Sequence, residues 1–176
     1  MIKLLEENEI DGDTVDRKTI DCYFKNYVLQ SYDCTIKIKD IGSAEANATD
    51  KGVIVLNSKN RNNVSKYVLD HEIAHQLCNY CHDLQCDVIL NWGYAFGKPV
   101  FRNNNFIGFD GNYGGYNPEE AFCDTLSYYI NYPNNVKKNY PDAYKVVEYI
   151  YNLSSIKKFY NDWYKAVEEN NINTII

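Results

Sequence analysis

His71-Glu72-Ile73-Ala74-His75 sets two histidines four residues apart, with a glutamate beside the first. Residues four apart on a helix stand one above the other on the same face. Imidazoles at 71 and 75 can therefore aim ring nitrogens at one point, and Glu72, beside the first, reaches the same place. Two imidazole ligands and one carboxylate base are what a helix needs to hold a catalytic divalent ion and deprotonate its bound water. The plain alternative for so short a pattern is two histidines of the core or the surface. Against it, the stretch holds two of the three histidines in the chain, and Ile73, Ala74 and Leu77 give the helix an apolar face to bury.

Ser65 is a candidate N-cap, and the helix is expected to run from there to about residue 80. Upstream, residues 53–56 (Val-Ile-Val-Leu) read as a short, continuously apolar strand, and residues 34–39 alternate like another strand. Between them, residues 40–52 are polar and turn-like. Residues 14–31 read as a first helix with Val15, Ile20, Tyr23, Phe24, Tyr27 and Val28 on one stripe. Downstream, residues 92–116 are rich in Gly, Asn and aromatics, the composition of a long ordered loop, and loops of that length are usually functional. Pro118 opens a helix over residues 119–130, ended by Pro133. Pro141 opens another to about residue 153, and a last one spans about 155–170. These elements predict an α+β fold: a small twisted sheet, an active-site helix and a mainly helical C-terminal half. Neither a repeat nor a linker interrupts the chain, so residues 1–176 are expected to form a single domain.

Bulk composition narrows the function classes. A net charge of −6, with Lys and Arg confined to short pairs such as Lys137-Lys138, argues against a nucleic-acid binder. No segment approaches the ~20 apolar residues that span a membrane. Residues 1–7 lack the apolar run of a secretory signal. That points to a chain acting in a cytoplasm or delivered into a cell, or secreted if a leader has been removed. The six cysteines suit a reducing compartment, as small buried hydrophobes. Oligomeric state is not legible in the sequence.

A catalytic zinc needs three protein ligands and an open position, so the third ligand matters. Cys81 lies six residues beyond His75, but Cys78 stands where a helix-breaking glycine would be needed. Asp110 belongs to Asp110-Gly111-Asn112-Tyr113-Gly114. Glu120 opens Glu120-Ala121-Phe122-Cys123-Asp124 on the Pro118 helix. Acids at 119 and 120 complement the positive end of a helix dipole without further purpose. Asp124 has no such account, since it sits among Ala121, Phe122, Thr125 and Leu126. Glu120 with an acid four residues later resembles the gluzincin arrangement, which implies a ligand carboxylate followed by an acid that orients a ligand histidine.

These residues resemble a known group, the gluzincin zinc metallopeptidases of the anthrax lethal factor catalytic domain and Pro-Pro endopeptidase type. The group's pattern is a His-Glu-x-x-His helix, a Tyr-Gly seven residues before a ligand Glu, and a helix reading Glu-x-Phe-Ala-Glu-Ala-Phe. This chain has His71 to His75, then Tyr113-Gly114, then Glu120-Ala121-Phe122-Cys123-Asp124-Thr125-Leu126. Tyr113 precedes Glu120 by seven residues, and 45 separate His75 from Glu120. Tyr140-Pro141-Asp142-Ala143-Tyr144 is similar to the start of the group's next helix. The resemblance spans about residues 65–150. Asp124 replaces a Glu, and Cys123 and Thr125 replace small alanines.

The resemblance implies a zinc endopeptidase acting on a protein or peptide. One Zn2+ would be held by His71, His75 and Glu120, with Asp124 orienting a histidine. Glu72 would serve as general base, and the Tyr113 hydroxyl would stabilise the oxyanion. It also implies that the strand upstream of the active-site helix is the edge strand that pairs with substrate. Two rival readings remain: a non-catalytic binding module whose zinc stabilises a zincin scaffold, and an aspzincin-type peptidase with Asp110 as third ligand.

Overall fold

The computed structural model describes residues 31–82 and 118–175. The expected first helix (14–31) and long loop (92–116), with Asp110 and Tyr113, lie outside the described residues, apart from residue 31.

Strands β1 (Thr35–Lys39), β2 (Ala46–Asn47) and β3 (Val53–Asn57) form a sheet in the order β1-β3-β2. β1 runs parallel to β3, from Thr35 beside Val53 to Lys39 beside Asn57. β2 is antiparallel to β3, with Ala46 opposite Leu56 and Asn47 opposite Val55. Along β1, Thr35, Lys37 and Lys39 are exposed while Ile36 and Ile38 pack on the core, the period of two that the sequence shows.

β3 is the central strand, whereas the sequence reading makes it the edge. Among the described residues, the edge beside the helix that carries His71 and His75 is β2, inside the stretch read as turn. Two residues are too few for an alternation to register as a pattern. Asn57 secures this region, its Nδ2 donating to the Gly42 and Ala44 carbonyls at 3.1 and 2.6 Å.

Helix α1 (Lys66–His82) follows β4 (Val64–Ser65). Leu69, Ile73, Ala74 and Leu77 are fully buried, in one core with Ile54 and Leu56 of β3. Each such Leu or Ile contributes roughly 1.5–3 kcal/mol. α2 (Pro118–Asn131) packs along α1 more extensively than any other helix and buries Ala121, Phe122, Cys123 and Leu126.

Three helices begin with proline: α2, α3 (Pro133–Asn139) and α4 (Pro141–Tyr151). Tyr132 and Tyr140 precede two of these prolines and have φ −139° and −138°, outside the helical region. Proline excludes the helical conformation from the residue before it yet suits the first turn of the next helix. Pro133 thus ends α2 and also starts α3, a helix the sequence reading lacks.

α5 (Ser154–Glu169) buries Ile156, Phe159, Tyr160, Trp163, Ala166 and Val167, the three-and-four spacing of an amphipathic helix. After it, β5 (Thr174–Ile175) pairs in parallel with β4, Val64 beside Thr174, which brings the end of the chain to the start of α1.

Asp70, fully buried, ties the helices together just before His71. Its carboxylate accepts from Lys66 at 2.5 Å, Asn131 at 2.8 Å and Tyr164 at 2.6 Å. α1, α2 and α5 therefore share one polar node, as a buried carboxylate requires. Among the described residues, no helix is long and apolar enough to cross a membrane.

Candidate metal centre

α1 places His71 and His75 one turn apart on the face that meets the first turn of α2. His71 Nε2 and His75 Nε2 are 3.0 Å apart. Glu120 Oε2 lies 3.1 Å from the first and 3.2 Å from the second. Among the described residues, this trio is the group able to hold a metal ion. Atoms about 2.0–2.1 Å from one ion in a tetrahedral set stand roughly 3.3–3.4 Å apart. The observed edges fall a few tenths of an ångström short, so a modest spreading accommodates an ion.

The outer nitrogens explain why the inner ones converge. His71 Nδ1 lies 2.8 Å from Asp124 Oδ1, and His75 Nδ1 lies 2.9 Å from Glu119 Oε1. Asp124 Oδ1 also accepts the Tyr67 hydroxyl at 2.7 Å. Each Nδ1–H points at a carboxylate, which leaves both Nε2 lone pairs facing a carboxylate oxygen. Three electron-rich atoms this close need a cation between them, a proton or a metal ion.

The protonation behaviour of the ion-free site says the same. Burial lowers the His75 pKa, but hydrogen bonds to Glu119 and Glu120 outweigh it and raise the pKa to about 11. Burial raises that of Glu120, yet the two imidazoles hold it at about 2. Burial pushes the Glu72 carboxyl above the ordinary range, against the pull of His71 and His75. A carboxyl so shifted is better matched to accepting a proton near neutral pH.

Two cavities of about 350 and 360 Å³ flank Glu72. The first is lined by Ala44, Ala46, Tyr67 and Val68 beside His71, and the second by Asn47, Thr49, Asn79 and Glu119 beside His75. Ala46 of the edge strand lines both. The Asn57 N–H donates to the Glu45 carbonyl at 2.9 Å, so the neighbouring Ala46–Leu56 pair is the non-hydrogen-bonded kind. The Ala46 N–H and C=O therefore point away from β3, towards the side where no other described strand pairs.

Comparison with protein-family models, with curated proteins and with solved structures finds no match.

Of the residues expected from sequence, His71, Glu72, His75, Glu120 and Asp124 come together here. Asp110, Tyr113 and the Cys81 side chain lie outside the described residues. Glu119 is the contact to a candidate ligand that the local sequence leaves unmarked. Its place next to Glu120 in a helix's first turn has a sufficient local explanation, and its hydrogen bond to His75 appears only when α2 docks on α1. Behind the site, the buried Cys78 and Cys123 sulfurs lie 3.9 Å apart, each three residues past a ligand candidate.

Proposed function

We propose that this chain is a zinc-dependent endopeptidase of the lethal-factor and Pro-Pro endopeptidase type of gluzincin. The observation that carries the reading is the convergence of His71 Nε2, His75 Nε2 and Glu120 Oε2 within 3.2 Å, with Glu72 in the cleft beside them. The motif resemblance adds the choice of zinc and of peptide substrates. A bound zinc supplies Lewis-acid polarisation of a carbonyl and lowers the pKa of water.

Glu72 takes the proton of the attacking water, and its burial-raised pKa suits the later transfer of that proton to the leaving amine. Asp124 keeps the His71 imidazole in the tautomer that aims Nε2 inwards. The outward N–H and C=O of Ala46 offer an extended peptide one rung of antiparallel pairing beside Glu72. Tyr113 is assigned the oxyanion contact on the resemblance, from its flanking glycines and its offset from Glu120.

The test is cleavage of a peptide library by zinc-loaded wild type and Glu72→Ala. Wild type is expected to cut, and the variant to lose on the order of 10³-fold or more in rate while keeping its zinc. Cleavage that persists in clean Glu72→Ala protein overturns the mechanism. A wild type that binds zinc without cutting any peptide points to the binding-module reading. Zinc kept by Glu120→Ala but lost by Asp110→Ala returns the third ligand to Asp110.

A further inference from the structure

The two histidines are braced in different surroundings. The Asp124 and His71 side chains are 3% and 8% exposed, buried at the floor of the first cavity beside Tyr67 and Val68. The Glu119 side chain is 43% exposed and the His75 side chain 17%, on the wall of the polar cavity with Asn47, Thr49 and Asn79. Glu119 and Glu120 are consecutive, so one turn of α2 supplies both an ion-facing oxygen and the carboxylate behind a different ligand candidate. A first-turn acid serving the helix dipole alone has no need to reach across to α1. Here the carboxylate oxygen lies 2.9 Å from His75 Nδ1, the distance of a charge-assisted hydrogen bond.

We propose that Glu119 is the positioning residue of His75: it fixes the imidazole with Nε2 turned to the ion and strengthens that nitrogen as a donor. The proposal rests on the reading of His71, His75 and Glu120 as the metal site. Glu119 touches the metal only through His75, so its substitution changes affinity and ligand-field geometry and leaves the number of ligands intact. A glutamine at 119 still accepts the Nδ1–H but brings no charge, whereas an alanine removes both acceptor and charge.

The experiment is a zinc titration against a chromophoric chelator for wild type, Glu119→Gln and Glu119→Ala, with the visible spectrum of each cobalt(II)-loaded form. Glu119→Ala is expected to bind zinc about 10–100-fold more weakly, with Glu119→Gln between it and wild type. The cobalt bands should shift or weaken in the alanine form and recover in part in the glutamine form, a rescue that a merely structural role does not produce. Should the alanine form not fold, Glu119→Gln decides, by weaker zinc binding or by none. Either foldable variant matching wild type in both affinity and spectrum overturns the role of Glu119 and leaves the metal site standing. A wild type that takes up no zinc overturns the site itself and this role with it.

Discussion

Gln76 and Gly52 are joined by a 2.7 Å hydrogen bond, the Gly52 N–H donating to Gln76 Oε1 deep inside the protein. The Gln76 Nε2 reaches the carbonyls of Ala48, Asp50 and Val53 at 3.1, 2.9 and 2.9 Å. One side chain, next in sequence to His75, thus gathers the backbone polar groups of the turn between β2 and β3. It ties the turn between β2 and β3 to α1.

Gln76→Leu keeps roughly the volume but takes the acceptor from the Gly52 N–H and the side-chain donor from the Val53 carbonyl, while the Ala48 and Asp50 carbonyls keep Asn79 Nδ2 and the Val53 N–H. Each unsatisfied buried group costs about 1–3 kcal/mol, so the substitution is expected to destabilise by roughly 2–4 kcal/mol in urea denaturation. A loss below about 1 kcal/mol would show that water replaces the amide easily. If β2 then drifts from Glu72, peptide cleavage should fall while zinc binding stays.

Gly52 and Gly42 separate backbone strain from crowding. Both have positive φ, +76° and +71°. A Cβ on Gly52 would meet Asp33 Cβ at 3.2 Å and the Tyr80 hydroxyl at 3.3 Å, whereas one on Gly42 meets nothing within 4 Å. Gly42→Ala is expected to cost about 1 kcal/mol, from the left-handed conformation alone. Gly52→Ala adds steric displacement, for roughly 2–4 kcal/mol in total. The comparison is made by thermal or chemical denaturation, and equal losses would refute the crowding argument.

The ion-free site carries a pH signature with a definite sign. The folded His75 pKa of about 11 lies above its ordinary 6.5. Its contribution to stability is therefore full below 6.5 and is lost as pH rises towards 11. Glu120, at about 2 in the fold against an ordinary 4.5, contributes above 4.5 and loses its contribution as pH falls towards 2. Metal-free protein should thus be most stable between those limits. Zinc must displace the proton held by the imidazoles, so its apparent affinity is expected to rise from pH 5 to 8 with release of protons. Calorimetric titration in buffers of different ionisation enthalpy counts those protons, and a pH-independent affinity would contradict the displacement.

Much of the helical half was legible because its signals are local. Pro118, Pro133 and Pro141 each mark a boundary, and α5 shows its buried stripe in its spacing. Pro133 carries a double meaning, the end of α2 and the start of α3, and only the end shows in the local pattern. The short strands β2, β4 and β5 could not be read, because two residues carry no period and exist as strands only through their partners.

Local helix geometry is enough to put two imidazoles and a carboxylate on one turn at residues 71–75, since four-residue spacing is intrinsic to the helix. It also determines that Glu120 and Asp124 share a face of the next helix, by the same rule. Only the tertiary structure decided that Glu120 meets both histidines, that Glu119 braces His75, and that Ala46–Asn47 forms the edge beside Glu72. Those relations join residues that are distant along the chain. They depend on how α2 docks on α1 and how Gln76 gathers a turn, and packing of that kind leaves no periodic trace in either segment.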